Sequence, residues 1–219
     1  MADAIITRRG GGLVEIEFNN FKVYNDTVTR TTPTKLSQAR YSLAGASVGD
    51  YALFAGGYSS PSYYATVNAY DTSLTRTTPT GLSQARYNLA GASVGDYALF
   101  AGGYSSPSYY ATVDAYNSSL VRSTPTSLSV VKSSLAGASV GDYALFAGGF
   151  GSKYSNIVDA YDTSLTRTTP TGLSQARYSL AGASVGDYAL FAGGTTETDS
   201  DVVDAYDTSL TRTTPTSLS

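Results

Sequence analysis

One fifteen-residue segment occurs four times in this chain without a single change. It reads Leu-Ala-Gly-Ala-Ser-Val-Gly-Asp-Tyr-Ala-Leu-Phe-Ala-Gly-Gly and occupies residues 43–57, 89–103, 135–149 and 180–194. Its closing glycine pairs follow one another at intervals of 46, 46 and 45 residues. A fixed period of this length indicates an architecture in which each repeat is one supersecondary unit that buries its apolar surface against its neighbours. The repeat therefore constrains the fold more than any other feature of the sequence.

Each repeat holds four segments with the composition of β-strands, here named a to d. In the first full repeat they are residues 41–48, 51–55, 66–70 and 74–78, separated by turn residues and a polar loop. Segment a consists mainly of small residues, and segment b is apolar throughout. In segment c, side chains alternate between two faces, and segment d is rich in Thr and Arg before a terminating Pro. This gradient is expected from the axis to the rim of a propeller blade. The sequence predicts an all-β protein, a β-propeller of four-stranded blades; a linear solenoid of the same units is the alternative.

The N-terminal residues are a diverged copy of the same unit. A shift of 46 positions places Gly10-Gly11 on Gly56-Gly57 without a gap. Residues 13–18 alternate between apolar and polar side chains, which predicts a strand where the other repeats have a loop. The counterpart of residues 38–46, most of one innermost strand, is missing. We therefore predict five blades in a single domain of residues 1–219, with a diverged, incomplete first blade at 1–37 and near-identical repeats at 38–219.

The missing strand has a consequence for assembly. An unsatisfied sheet edge is a template for pairing with another chain, so a homo-oligomer formed through the incomplete blade is expected as one alternative. In that alternative the protein is a structural, self-assembling subunit completed by strand exchange between chains.

The repeats resemble the kelch repeat in an apolar strand that ends in Gly-Gly and is followed by Tyr-Asp or Tyr-Asn. The matching pairs are Gly56-Gly57, Gly102-Gly103, Gly148-Gly149 and Gly193-Gly194, with Tyr70-Asp71, Tyr116-Asn117, Tyr161-Asp162 and Tyr206-Asp207. Kelch units usually carry a Trp shortly after that Tyr. The corresponding place here falls near Arg76-Thr77, and the chain has no Trp. The resemblance implies a propeller, with a different packing of the outermost strand.

The N-terminus is similar to the start of tail-associated proteins in prophages of Gram-positive bacteria. The similarity covers residues 2–12, Ala-Asp-Ala-Ile-Ile-Thr-Arg-Arg-Gly-Gly-Gly, and the repeated wording Tyr-Asp-Thr-Ser-Leu-Thr-Arg-Thr-Thr-Pro-Thr. It implies a viral tail or surface protein on a virion or outside a cell. Without such an origin, a cytoplasmic location is expected, because residues 1–12 have no apolar core of a signal peptide.

Composition argues against several classes of function. The 14 basic and 17 acidic residues are dispersed, with no basic run that would favour nucleic acid. No apolar stretch reaches the roughly 20 residues needed for membrane insertion as a helix. The chain has neither Cys nor His, so the usual zinc, copper and haem ligands and every nucleophile–His pair are absent. We predict that the protein is not an enzyme and uses no cofactor or metal.

The loops between segments b and c vary, whereas segments a and b are repeated almost letter for letter. Loops on a rigid scaffold are common recognition sites, and Tyr offers a flat face and a hydroxyl group at low entropic cost. We predict that these loops bind a cell-surface glycan or protein. The alternative is that surface loops simply drifted after duplication. The predicted binding residues are Tyr58, Tyr63, Tyr64, Tyr104, Tyr109, Tyr110, Phe150, Lys153, Tyr154, Asp199 and Asp201.

Two further groups of charged residues have structural interpretations. A cation recurs before each segment a, and we expect it to bridge blades to turns of the Asp50 type; the residues are Arg40, Arg86, Lys132 and Arg177. Residues 198–201 could offer carboxylate oxygens to calcium, but they lack the rest of a calcium loop, so a solvated acidic turn is the preferred interpretation.

Overall fold

A computed structural model of the chain describes residues 5–9, 13–18, 21–25 and 31–218. All regular structure in these ranges is β-strand. The chain divides into two compact units, Met1–Pro33 and Thr34–Ser219. The two units are described separately.

The first unit contains a three-stranded antiparallel meander. Its strands are β1 (Ile5–Arg9), β2 (Leu13–Phe18) and β3 (Phe21–Asn25), in the order β1-β2-β3. The strand expected at residues 13–18 is confirmed, and it pairs with both neighbours. In a blade, the counterparts of β1 and β3 would pair directly, so this order differs from a blade that lacks only its innermost strand. Residues 1–4, 10–12, 19–20 and 26–30 of the predicted first blade lie outside the described residues.

The second unit contains four four-stranded antiparallel sheets, called blades 1 to 4 in chain order, each with the strand order a-b-c-d. This confirms the predicted blade. The a strands are β4 (Ala44–Val48), β10 (Ala90–Val94), β16 (Ala136–Val140) and β20 (Ala181–Val185). The b strands are β5 (Tyr51–Ala55), β11 (Tyr97–Ala101), β17 (Tyr143–Ala147) and β21 (Tyr188–Ala192). The c strands are β8 (Val67–Tyr70), β14 (Val113–Asn117), β18 (Val158–Asp162) and β22 (Val203–Asp207). The d strands are β9 (Arg76–Thr77), β15 (Arg122–Ser123), β19 (Arg167–Thr168) and β23 (Arg212–Thr213).

Two of the b–c loops form short hairpins. In blade 1, β6 (Tyr58–Ser59) pairs with β7 (Ser62–Tyr63), and in blade 2, β12 (Tyr104–Ser105) pairs with β13 (Ser108–Tyr109).

The innermost strands of consecutive blades touch through their backbones. β4 packs on β10, β10 on β16, and β16 on β20. A Cβ atom on Gly91 would lie 2.2 Å from the carbonyl oxygen of Gly45, and one on Gly137 would lie 2.3 Å from that of Gly91. No side chain fits at that distance, which explains the glycine in the a strands of blades 2 to 4.

Serines two residues after these glycines connect the same strands by hydrogen bonds. The Ser93 hydroxyl donates to the Ser47 carbonyl oxygen at 2.7 Å, and the Ser139 hydroxyl donates to that of Ser93 at 2.6 Å. The Ser184 hydroxyl repeats the bond to Ser139 at 2.6 Å. The small, polar a strand is therefore a blade-to-blade contact as well as the innermost strand of its own sheet.

Each pair of blades buries an apolar core between two faces. One face of a blade, which we call the leading face, presents a Phe and an Ala from strand b to the preceding blade. The opposite, trailing face presents Leu and Ala from strand b and Val and Ala from strand c to the next blade. Between blades 1 and 2, Phe100 and Ala98 pack against Leu53, Val67 and neighbouring side chains, all buried. Strand b is apolar on both faces because both faces are covered.

The two outermost faces of the four blades are partly exposed, mainly at strands a and b. Phe54, on the leading face of blade 1, is 38% exposed, whereas its counterparts Phe100, Phe146 and Phe191 are 0% exposed. At the other end, Val185 of blade 4 is 60% exposed, whereas Val94 is 3% exposed. Within the second unit, no other blade therefore packs on the leading face of blade 1 or on the trailing face of blade 4.

A buried ion pair lies in each of blades 2 to 4. The distances are 2.8 Å for Arg86–Asp114, 3.0 Å for Lys132–Asp159 and 2.9 Å for Arg177–Asp204, and all six side chains are fully buried. The expectation that these cations bridge to turns of the Asp50 type is wrong. The cation precedes strand a and reaches strand c of its own blade. The a–b turn lies at the other end of strand a, beyond its reach.

Blade 1 differs from the others at this position. Arg40 faces Asn68 at 3.1 Å instead of a carboxylate. The Asn68 side chain is also held by Ser37 and Thr78. The first blade therefore replaces the buried ion pair by a hydrogen-bond network with one charge.

Burial and charge act against each other in the pair of blade 3. Burial lowers the pKa of Lys132, because it disfavours the ammonium form, and Asp159 only partly offsets it. Burial alone would raise the pKa of Asp159, but the Lys132 charge and hydrogen bonds from Ser129 outweigh burial and lower that pKa. A carboxyl group with a lowered folded pKa stabilises the fold above its unfolded pKa, and this contribution is lost as the pH falls through the folded value.

We predict that Asp114→Ala lowers the free energy of unfolding by about 3–5 kcal/mol, because it leaves the Arg86 guanidinium buried without a counter-charge. Urea denaturation followed by circular dichroism measures the change. Asp96→Ala, at the exposed a–b turn of the same blade, is the matched control and should change stability by less than about 0.5 kcal/mol. Equal effects of the two substitutions would contradict the structural role of the buried pair.

A second prediction concerns the pH dependence of stability. Wild-type stability should fall as the pH drops below about 4, where the unfolded chain begins to take up protons that folded Asp159 does not accept. The double variant Lys132→Met/Asp159→Leu replaces the pair by apolar groups and should show a smaller fall. Urea midpoints measured from pH 7 to pH 3 compare the two curves. Parallel curves would show that this pair makes no contribution to acid sensitivity.

Candidate functional site

The b–c loops begin at a pair of glycines whose positive φ values lie in the left-handed region that favours glycine. Gly56 has a φ of 70° and Gly57 a φ of 110°, and the other blades repeat these values closely. The Gly57 N–H donates to the Arg86 carbonyl oxygen of the next blade at 2.9 Å. Tyr58 exchanges two backbone hydrogen bonds with Tyr41, which precedes strand a of its own blade. The loops of blades 1 to 3 are thus fixed between their own blade and the next.

This arrangement brings nine aromatic rings into one continuous row, which we call the aromatic arc. Consecutive ring centroids lie between 4.8 and 5.9 Å apart, within the range of aromatic contact. The row extends over all four blades. Tyr41, at one end, is exposed and the other eight rings are half-buried. In order, the arc consists of Tyr41, Tyr58, Tyr63, Tyr87, Tyr104, Tyr109, Phe150, Tyr154 and Tyr178.

Six of the predicted binding residues lie in the arc: Tyr58, Tyr63, Tyr104, Tyr109, Phe150 and Tyr154. The sequence analysis missed three others, Tyr41, Tyr87 and Tyr178. These three occupy the same position before strand a, where blade 3 has Ser133. Their recurrence at one position could have indicated a shared role. However, they belong to segments that are repeated between blades, whereas the prediction rested on the loops that vary. That the predicted residues bind a ligand stays a prediction.

Two predicted tyrosines support the loops rather than extend the arc. The Tyr110 hydroxyl lies 2.8 Å from the Ser105 hydroxyl, across its own hairpin. The Tyr64 carbonyl oxygen accepts the Arg86 N–H at 3.1 Å. They contribute to holding the shape of the hairpins.

The loops of blades 3 and 4 border two depressions instead of forming hairpins. Lys153 and Tyr154 line one of 420 Å³, together with Val131 of the preceding connection. Asp199 and Asp201 line another of 360 Å³, together with Gln175. Lys153, Asp199 and Asp201 are exposed, so their charges are available at the surface. The charged predicted residues therefore lie beside the arc in chemically distinct settings.

A shallow polar depression of 230 Å³ lies where the four blades converge, next to the arc. It is lined by a polar residue and a Leu from each blade, directly after the positions of Tyr41, Tyr87, Ser133 and Tyr178. The polar residues have positive φ values of 52–55° and form a chain of backbone hydrogen bonds from blade to blade, at 2.8–3.0 Å. They are Ser42, Asn88, Ser134 and Ser179. The inner side of the arc thus opens onto fixed polar groups.

The nine residues of the arc include no Asp, Glu, Lys or Arg. Burial, followed by the neighbouring tyrosines Tyr63 and Tyr104, raises the pKa of Tyr87. Its hydroxyl group is therefore protonated and available as a hydrogen-bond donor. Within residues 31–218 and the described strands of the first unit, no cluster of three or more Asp, Glu, His or Cys side chains is placed to hold a metal ion. The same residues include no helix long and apolar enough to cross a membrane.

Comparison with known proteins identifies the fold. No family model and no curated protein matches the chain. Among solved structures, 246 chains match. One is YjhT, a β-propeller, with a TM-score of 0.68 and 15% sequence identity over 85% of this chain and 68% of that chain. At this identity the likeness concerns the fold alone. Together with the repeated four-stranded sheets, it confirms that the chain forms a multi-bladed β-propeller.

Proposed function

We propose that this protein is a non-catalytic binding propeller that holds a cell-surface glycan along its aromatic arc. The observation that carries the proposal is the continuity of the arc, in which nine rings from four blades follow one another at contact distance. Stability alone does not require such a row at a half-exposed surface. A protein surface is the alternative ligand.

The chemistry of the arc suits a glycan. Sugar rings have apolar faces that stack on flat aromatic rings and hydroxyl groups at their edges that exchange hydrogen bonds with tyrosine. Tyrosine provides both contacts with few rotatable bonds, so little entropy is lost on binding. The backbone polar groups around Ser42 and Asn88 lie beside the row. A long row, rather than one deep pocket, favours an extended polymer over a small molecule.

The charge distribution argues against nucleic acid as the stacked ligand. Lys153 is the one cation among the predicted loop residues, and the net charge of the chain is −3. Nucleic-acid binding depends on several cations that neutralise phosphates. Stacking without such cations favours a neutral partner.

Differences between the b–c loops of the four blades would determine how a polymer is oriented along the arc. Blades 1 and 2 have identical hairpin sequences at residues 58–64 and 104–110, so they offer the same contacts twice. Blade 3 adds the exposed Lys153 and blade 4 the exposed Asp199 and Asp201. A polymer bound along the arc would meet two equivalent sites and then two charged ones, which fixes its direction.

The resemblance of the repeats to kelch units, and of residues 2–12 to tail-associated proteins of Gram-positive prophages, suggests where this binding takes place. We propose a role in a phage tail or on a surface that contacts a bacterial cell. The glycan would then belong to the cell envelope of a Gram-positive host.

The experiment measures binding of the purified chain to cell-wall polysaccharides of Gram-positive bacteria by glycan array and affinity electrophoresis. Tyr63→Ala should weaken binding about tenfold, the loss expected from removing about 1.4 kcal/mol of stacking and contact. Tyr63→Phe keeps the ring and should retain most of the affinity. Unchanged melting temperatures of both variants serve as the control for folding.

Pull-down with whole cells separates the two ligand classes. Retention by protease-treated cells, together with loss after glycan removal, supports the glycan. The reverse pattern would replace the glycan by a protein ligand. Binding that is equal for wild type and Tyr63→Ala would overturn the role of the arc.

A further inference from the structure

The leading face of blade 1 and the trailing face of blade 4 have no neighbouring blade within the second unit. Elsewhere in this unit, a trailing face packs against the leading face of the next blade, and this contact occurs three times. The leading face of blade 1 has the same strand b sequence as the leading faces of blades 2 to 4. The trailing face of blade 4 has the same strand b sequence as those of blades 1 to 3. Within the chain, every such pair of faces is packed together.

On the two end faces, large apolar side chains are exposed at positions whose equivalents between blades are buried. On the leading face, Phe54 is 38% exposed and Phe100 is 0% exposed. On the trailing side, Val185 is 60% exposed and Val140 is 2% exposed, while Leu218 is 52% exposed and Leu173 is 1% exposed. Large apolar residues left open at matched positions indicate an interaction surface rather than scattered surface apolar groups.

We propose that these faces join two copies of the chain head to tail, with blade 4 of one copy packed against blade 1 of the next. In this contact Phe54 takes the place that Phe100 has between blades 1 and 2. Gly45 takes the place of Gly91 and lies against the Gly182 backbone of the other copy. The Ser47 hydroxyl donates to the Ser184 carbonyl oxygen, as Ser93 does to Ser47 within the chain.

The N-terminal unit of the same chain is the competing occupant, and its sequence does not fit. Shifted by 46 positions, Arg8 stands where Phe54 stands, and Lys22 stands where Asn68 stands. Arg9 stands where Ala55 stands. The described strands of this unit, β1 to β3, do not include a counterpart of the strand that carries the close glycine contact. A second copy supplies the Phe, Gly and Ser residues that the internal contacts use, namely Phe54, Gly45 and Ser47.

This contact differs from the strand exchange expected from the sequence. Blades 1 to 4 each have all four strands, so no strand needs to be borrowed. Whole faces meet instead. Because the faces differ, the association is heterologous, and it forms either a closed ring or an open series of copies. Both arrangements use the same contact.

The contact between copies should be weaker than those inside the chain. Each internal contact has a fully buried ion pair on its leading side, such as Arg86–Asp114. At blade 1, Arg40 faces Asn68, so docking covers a guanidinium group that has no carboxylate partner among the described residues. Reversible, concentration-dependent association is therefore expected.

Light scattering coupled to size exclusion tests the proposal at several concentrations. The wild-type chain should show at least twice its mass of 22.8 kDa at the highest concentration. Val185→Lys should return the mass to that of one copy. Val121→Lys is the matched control, because Val121 is equally exposed, at 61% against 60% for Val185, and lies in a turn between strands c and d. It should associate like the wild type.

Gly45→Ala tests the other face without disturbing the single copy. A Cβ atom at Gly45 has the Phe54 ring as its nearest neighbour at an ordinary 3.6 Å. In the head-to-tail contact it would meet a backbone oxygen, as a Cβ atom at Gly91 would at 2.2 Å. The variant should remain folded, with circular dichroism and melting like those of a single wild-type copy, and should not associate.

A cross-link identifies which blade covers which face. The Ser47 and Ser93 hydroxyl oxygens lie 3.5 Å apart, so cysteines at equivalent positions of two docked copies are near enough for a disulfide. The chain has no cysteine of its own. Ser47→Cys/Ser184→Cys should therefore form covalent dimers or longer species on mild oxidation, and Val185→Lys should prevent them.

Three outcomes would overturn the proposal. The first is a wild-type chain that stays at the mass of one copy at every concentration. The second is association that Val185→Lys and Gly45→Ala leave unchanged. The third is a disulfide of the double cysteine variant that forms only within one chain, which would mean that blade 4 closes onto blade 1 of the same copy.

Discussion

The close backbone contact between innermost strands is the constraint on which the second unit depends. Gly91 and Gly137 lie so near the preceding glycine carbonyl that no Cβ atom would fit. This approach lets Ser93 and Ser139 bond from blade to blade and brings the apolar faces together. A larger residue at either glycine would push neighbouring blades apart, and the buried Phe of each leading face would lose its pocket. The invariance of the a and b strands follows from this geometry.

The ion pairs and the aromatic arc are both consequences of that spacing. The segment before each a strand runs between two blades. Its cation, such as Arg86, points into the blade to meet Asp114, while the preceding blade's loop bonds to its backbone. The next residue, Tyr87, is held among the rings of two consecutive loops. One short connection thus couples the stability of the blades to the shape of the proposed binding surface, which explains why Tyr is repeated there.

The repetition of the blades also explains the exposed apolar side chains on blades 1 and 4. Every blade has two faces that can be covered, and within the second unit no other blade packs on the leading face of blade 1 or on the trailing face of blade 4. Phe54 and Val185 are the visible result. The change from Asp to Asn at position 68 removes one buried charge at the end where no blade of the second unit precedes. A propeller that associates through such faces would also align the aromatic arcs of its copies, and linked weak sites bind a polymer far more tightly than one alone.

The sequence by itself determined the blade. The period, the diglycines and the gradient from Ala-Gly-Ala-Ser to Thr-Arg-Thr specified four strands and their order, because each strand's composition reflects how far it lies from the axis. Local patterns also found the strand at residues 13–18. Only the tertiary structure decided the partners: that Arg86 meets Asp114 rather than an a–b turn, that Tyr41, Tyr87 and Tyr178 complete the arc, and that β1, β2 and β3 form a meander. The first two depend on contacts between distant segments, such as Tyr41 with Tyr58 and Arg86 with Asp114, and no local pattern encodes such contacts.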